Sequence, residues 1–325
     1  MRFGLLRRNG SIENAKMSSS LEQLRQWSVV VADTGDFEQI QQFHPQDATT
    51  NPTLILKASQ QETYREFCRS VTREAQNIRE AVQQLLVHFG LEILKLIPGR
   101  VSIEVDARLS FDVQGTVNYA KQLITGFSHH GINRERILIK IAATWEGIQA
   151  AQQLEKEGIH TNLTLIFSLI QAAACAEANV QLISPFIGRI LDWHQRHSGV
   201  AYDSESDPGV LSVRRIFNYY KRYGYKTRIM GASFRNTGEI LALAGCDLLT
   251  ISPKFLAELQ GSHAKIIRKL YDDGDPMDTP DKLKWEASTF RLQVGNDAMA
   301  CEKLHEGIRQ FCCDTEALEK LIQEG

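Results

Sequence analysis

ILIKIA (residues 137–142) is apolar at every position but one, and the exception, Lys140, stands in its interior. A short apolar run of this kind reads as a strand covered on both faces, as in a parallel sheet packed under helices. Side chains alternate along a strand, so Ile137, Ile139 and Ile141 share one face and Leu138, Lys140 and Ala142 the other. The isoleucine face is the one expected to meet helices, which turns Lys140 inward. An unpaired ammonium among apolar neighbours is costly. Burial disfavours the charged form of an amine, and a buried lysine that has released its proton is a competent nucleophile near neutral pH. The plainer alternative is a lysine salt-bridged to an interior acid.

Outward from this strand the same alternation of β-rich and helix-like runs continues. The other strand candidates are SVVVAD (28–33), DATTN (47–51), VSIEVDA (101–107), HTNLTLIF (160–167), VQLISPF (180–186), TRIMGA (227–232) and DLLTIS (247–252). With ILIKIA they number eight, enough to close a (β/α)8 TIM barrel. Between them, 52–90 reads as a long helical pair, and 144–158 and 168–178 as crossovers. Residues 208–223 form a helix with Asp207 as N-cap and Pro208 in the first turn. SFRNTG (233–238) opens a further helix that runs to a stop at Gly245. Residues 253–325 read as a C-terminal helical extension. No linker, repeat or low-complexity segment interrupts the chain. The expectation is an N-terminal extension over 1–20, disordered, followed by a single barrel domain over 21–325.

Parity brings more polar groups inside. Val29, Val31 and Asp33 share a face. Ser102, Glu104 and Asp106 face in, opposite Val101, Ile103 and Val105. Asn162 and Thr164 face in, opposite Leu163, Leu165 and Phe167, and Leu182, Ser184 and Phe186 share a face. Carboxylates, an amine, an amide and hydroxyls converging from several strands describe a site, because a barrel interior is filled more simply by branched apolar residues. Arg189 and Arg235 follow late strands, where such barrels hold phosphate. His129–His130 and the pair His194 and His197 have no third ligand at metal-binding spacing and read as surface residues. Trp145 and Trp193 read as packing residues flanking helix starts, and Asp106–Arg108 as an ion pair or a substrate contact.

Composition excludes several classes. A formal net charge of -2 over 325 residues provides no field for nucleic acid. No apolar run approaches the roughly 20 residues of a membrane helix. The six cysteines are scattered without a CxxC pair, which fits free thiols in a reducing, cytoplasmic setting. The basic stretch 1–20 has no long apolar core and does not read as a secretory signal.

The stretches ADTGD (32–36), DATTNPTLIL (47–56), EVDARLSFD (104–112), RILIKIAATWEGI (136–148), NLTLIFS (162–168), LISPFIGRILDW (182–193) and MGASFRNTGEI (230–240) together resemble the transaldolases, in that family's order, from about Leu21 onward. The resemblance implies a TIM barrel with a helical C-terminal tail, a homodimer, and no cofactor or metal. It implies transfer of a dihydroxyacetone unit from sedoheptulose 7-phosphate to glyceraldehyde 3-phosphate. Residue by residue, it implies Lys140 as the Schiff-base lysine, Asp33 as the acid/base group, and Glu104 with Thr164 as the pair positioning a water. Asn51, Asn162 and Ser184 would hold the dihydroxyacetone part, and Arg189, Ser233 and Arg235 the phosphate. The chain departs from the family's pattern in a shorter segment between Asn51 and Glu104, in Ile103 for a hydroxyl residue, and in Asn179 where glycine is expected.

Overall fold

The computed structural model describes residues 18–271, 279–282 and 286–324. Eight parallel strands close a barrel in chain order: β1 (Val29–Asp33), β2 (Asp47–Thr49), β3 (Val101–Glu104), β4 (Ile137–Ala142), β5 (Thr161–Ile166), β6 (Leu182–Pro185), β7 (Arg228–Gly231) and β8 (Leu248–Ile251). All eight expected strands are present, and ILIKIA coincides with β4 residue for residue. Pairing sets Lys140 opposite Glu104 on one side and Asn162 on the other.

The strands alternate with α1 (Ser20–Leu24), α2 (Phe37–Phe43), α3 (Pro52–Ser59), α4 (Glu62–Thr72), α5 (Ile78–Leu96), α6 (Val113–His129), α7 (Trp145–Lys156) and α8 (Leu169–Glu177). Then follow α9 (Ile187–Ser198), α10 (Pro208–Arg222), α11 (Thr237–Ala242), α12 (Pro253–Gly261), α13 (Ala287–Asn296) and α14 (Ala298–Glu324). Side-chain caps start many of them. Asn51, Thr144, Ser168 and Asp207 accept from backbone N–H groups in the first turns of α3, α7, α8 and α10. Each such cap contributes about 1 kcal/mol. Among the described residues no helix is long and apolar enough to cross a membrane.

Two separate apolar clusters divide the molecule. Ile137, Ile139 and Ile141 belong to the large core between sheet and helices. Val31, Leu138, Leu182, Met230 and Leu248 form a small cluster inside the barrel, with Val29 against it. Burying each such side chain stabilises by about 1.5–3 kcal/mol. The inner cluster is a dry floor, one layer below the inward polar residues.

Several expectations are corrected. The helical pair read over 52–90 is three helices, α3 to α5, and α5 continues through Gly90 to Leu96. Gly90 is no stop; it leaves room for the Phe127 ring of α6, which a Cβ at 90 would meet at 2.5 Å. Ser18 to Ser20, assigned to a disordered tail, belong to the fold: Ser19 forms a capping box with Glu22, and Ser20 begins α1. Residues 1–17 of that tail lie outside the described residues. The helix expected from Ser233 begins at Thr237 with Asn236 as cap, and Gly245 lies beyond its end, at φ +104°. Trp145 does begin α7, but Trp193 lies inside α9. Asp106 does not continue the inward face, because β3 ends at Glu104 and Asp106 caps a 3-10 turn at the rim. In β5 the alternation breaks, since pairing with β6 slips by one residue between Leu163 and Ile166. Leu165 there takes φ +56°, a costly conformation for a residue with a Cβ, and its side chain reaches Gly307 of α14. Asn179 takes φ +56°, the conformation expected where it replaces glycine.

Gly90→Ala weighs helix propensity against packing. Alanine gains about 1 kcal/mol of propensity, but overpacking a closed core costs about 1–3 kcal/mol. Phe127 is fully buried and Ile103 Cδ1 stands 3.2 Å from the new methyl, so the clash should win. The expected result is a lower urea midpoint with unchanged slope; a raised midpoint would mean that the ring yields freely.

Candidate active site

Lys140 is 3% exposed, and its Nζ lies 3.1 Å from Glu104 Oε2 and donates to the Thr50 carbonyl at 3.1 Å. The plainer alternative, an interior ion pair, is therefore present, and it sits inside the site rather than replacing it. Burial raises the Glu104 carboxyl above its ordinary range, with Lys140 opposing the shift. Amine and acid thus compete for a proton over a distance that a hydrogen bond spans.

Asp33 ends β1 and lines the same cavity as Lys140. Burial raises its carboxyl too, against Lys140, a hydrogen bond from Thr49, and Arg189. Thr49 Oγ1 donates to Asp33 Oδ1 at 3.0 Å, and its oxygen lies 2.8 Å from Thr250 Oγ1 on β8. A second relay crosses the inward face of β4. Ser184 Oγ donates to Asn162 Oδ1 at 2.6 Å, and Asn162 Nδ2 donates to Ser102 Oγ at 3.1 Å. Thr164 Oγ1 is buried and has no hydrogen-bond partner among the described residues, and buried Glu104 Oε2 has none there besides Lys140 Nζ. A buried polar atom is normally satisfied, so both retain capacity for a water or a substrate group.

A cavity of about 140 Å³ joins Asp33, Asn51, Lys140, Ser184, Arg189 and Ser233, with Phe186 in its wall. At about 30 Å³ per water this is room for a fragment of a few heavy atoms. Asn51 accepts from Leu54 N–H as the cap of α3, which fixes its side chain at the rim. Glu104, Asn162 and Thr164 stand behind this wall. Arg189 is stacked over the rings of Phe186 (5.0 Å) and Phe311 (5.8 Å) and has no ion pair among the described residues. A guanidinium held by rings keeps its N–H donors for an anion. Arg235 stands farther out. Asp192 grips it bidentately, with Nη2 at 2.6 Å, and it reaches back to the Ser233 carbonyl at 3.2 Å. Ser233 takes φ +62°, and its carbonyl accepts from Gly188 N–H at 3.0 Å. A Cβ on residue 188 would meet that oxygen at 2.4 Å, so glycine is what lets the two loops touch.

Sequence parity did not reveal Thr49 and Thr250, which join β1, β2 and β8, nor Asp192, the partner of Arg235. Alternation in DAT would have turned Thr49 inward; nothing in the linear pattern marks Asp192. Asp106 is an ion pair at the rim, Arg108 bridging it at 2.6 Å to Glu319 of α14 at 2.6 Å. His129 ends α6, and His194 and His197 flank Trp193 on α9, away from this cavity. Among the described residues no group of three His, Cys, Asp or Glu side chains is placed to hold a metal ion.

Set against known families, the chain matches one described as Transaldolase/Fructose-6-phosphate aldolase over residues 30–322. The match runs from within β1 to the last turn of α14.

Behind the arginine loop lies another buried acid. Glu239 is fully buried; its Oε2 accepts from Arg235 N–H at 2.7 Å, and the Asp207 carboxyl is within hydrogen-bonding reach. Burial, and Asp207 beside it, push its carboxyl up to about 7. A carboxyl raised on folding binds its proton more tightly in the folded state, so stability falls as pH rises from the ordinary range of about 4.5 to about 7. Glu239→Gln should remove that loss. Its unfolding free energy relative to the parent should climb between pH 5 and 8 by on the order of 1 kcal/mol. A difference that stays flat with pH would mean that Glu239 carries no extra proton.

Proposed function

Because this chain belongs to the transaldolase/fructose-6-phosphate aldolase family, we propose that it transfers a dihydroxyacetone unit from sedoheptulose 7-phosphate to glyceraldehyde 3-phosphate, giving erythrose 4-phosphate and fructose 6-phosphate. The observation that carries this reading is the inward Lys140 amine set between Glu104 and the cavity that Asp33 and Arg189 share. In this scheme Glu104 takes the proton of Lys140, and the free amine attacks the C2 carbonyl of the ketose phosphate. The carbinolamine loses water as Glu104, through a water near Thr164, returns the proton to the departing hydroxyl. The iminium is an electron sink: Asp33 removes the proton of the C4 hydroxyl, the C3–C4 bond breaks, and the aldose leaves. An enamine remains on Lys140. Asn51, Asn162 and Ser184 hold its hydroxyls until the acceptor aldehyde arrives, its phosphate oriented by Arg189, Ser233 and Arg235. Carbon–carbon bond formation and release then run the steps in reverse.

The raised carboxyls suit these roles, since an acid/base group works best when its pKa lies nearer the working pH than an exposed carboxylate's. Retention of the enamine separates transfer from plain aldol cleavage, which must protonate it and release dihydroxyacetone. The cavity wall favours transfer at one point: Phe186 is buried there, edge-on to Phe167 at 5.8 Å, and its ring offers no proton.

Borohydride added with fructose 6-phosphate should leave a reduced three-carbon or six-carbon adduct on the peptide carrying Lys140. Asp33→Ala should still be trapped while its turnover drops by about 10²-fold or more. With sedoheptulose 7-phosphate alone, free dihydroxyacetone should form far more slowly than erythrose 4-phosphate forms once acceptor is added. An adduct on another lysine would refute the nucleophile, and equal rates with and without acceptor would assign the chain to aldol cleavage instead.

A further inference from the structure

At the end of the barrel opposite Asp33 and Lys140, around the starts of β1, β2, β3, β7 and β8, lies an open cavity of about 790 Å³. That volume is typical of small-molecule sites. Arg25, Arg100, Arg228 and Arg268 line it, brought from four separate parts of the chain.

Backbone carbonyls rather than carboxylates hold two of them. Arg25 Nη2 donates to the Phe43 carbonyl at the end of α2, and Arg228 Nη2 to the Asp247 carbonyl at 3.3 Å. Neither makes an ion pair among the described residues. Arg100 touches a carboxylate only loosely, Nε to Asp47 Oδ2 at 4.0 Å. The other Asp47 oxygen is occupied by the Arg100 N–H at 2.9 Å. Arg268 donates through Nε to the Leu270 carbonyl at 2.7 Å.

The carboxylates in the wall are Asp47 and Asp247, and Asp247 is already bound by the Ile229 N–H at 2.9 Å and faces Lys221 Nζ at 3.7 Å. With Asp247 matched by Lys221, the three guanidinium groups of Arg25, Arg100 and Arg228 stand against the one carboxylate of Asp47, an excess of two positive charges. Like charges gathered in one concavity repel, and a multiply charged anion relieves that repulsion. Arg25 and Arg228 each use one nitrogen for their carbonyls, so most donors of both forks remain for bidentate contacts to phosphate. Partly buried Trp27 adds an apolar ring to the wall.

We propose that this cavity is a second binding site, for a small phosphorylated polyanion carrying two or more phosphate groups, gripped by Arg25, Arg100 and Arg228. The ligand would tie the starts of five strands together without touching Lys140.

Calorimetric titration at low salt with pyrophosphate, adenosine diphosphate and a hexose bisphosphate tests this, with sulfate as the simple-ion control. Saturable one-site binding is expected for at least one phosphorylated probe, unchanged in Lys140→Ala and weakened by added salt. Arg100→Gln and Arg228→Gln should each weaken it by about 10-fold or more; Arg25→Gln, at an exposed side chain, serves if either fails to fold. Tighter adenosine diphosphate than pyrophosphate would support a contact with Trp27, and equal affinities would support recognition of the phosphates alone. Absence of saturable binding, binding lost in Lys140→Ala, binding that survives the arginine variants, or sulfate binding as tightly would each overturn the proposal.

Discussion

The structure depends on an ion pair placed where proteins rarely place one. Lys140 and Glu104, on neighbouring strands and both almost wholly buried, face each other at 3.1 Å inside a closed barrel. Removing two charges from water costs several kcal/mol per ion, and their attraction offsets this only in good geometry with further hydrogen bonds. The Thr50 carbonyl supplies one such bond, and the closed sheet supplies the geometry by fixing the register of β3 against β4. Apolar side chains of similar volume would fill the same space at lower cost. What the pair provides instead is a proton that can sit on either partner, in a site from which bulk water is held back.

The surroundings divide by height. Leu138, Leu182, Met230 and Leu248 seal the interior from below. One pleat higher, the relay from Ser184 through Asn162 to Ser102 and the Thr250–Thr49–Asp33 chain orient the polar side chains. At the mouth, Gly188 lets the loops after β6 and β7 meet, which sets Ser233 and Arg235 beside Arg189. The other end of the barrel carries a concentration of arginine unrelated to Lys140, so the two ends of one sheet have different electrostatic characters.

Period-two alternation made Lys140, Glu104, Asn162, Thr164 and Ser184 legible in the sequence, because those strands are regular up to the residue concerned. It failed where strands stop or slip. Asp106 lies two residues beyond Glu104, but β3 has already ended, and Leu165 lies within a bulge. The arginine cavity was invisible for another reason: Arg25, Arg100 and Arg268 belong to separate connections, Arg228 opens β7, and only barrel closure brings them together. Glu239 is a first-turn acid of α11, and its burial against Asp207 has no local signature.

The partition of labour between the two interior acids is tested most directly by the rate at which an adduct forms on Lys140 in Glu104→Gln, measured by rapid borohydride quench with fructose 6-phosphate. Glutamine keeps the size and a hydrogen bond but cannot accept the proton. Adduct formation should slow by about 10²-fold or more, while cleavage of the adduct once formed changes only a few-fold. Adduct formation at the parental rate would contradict the role of the buried pair.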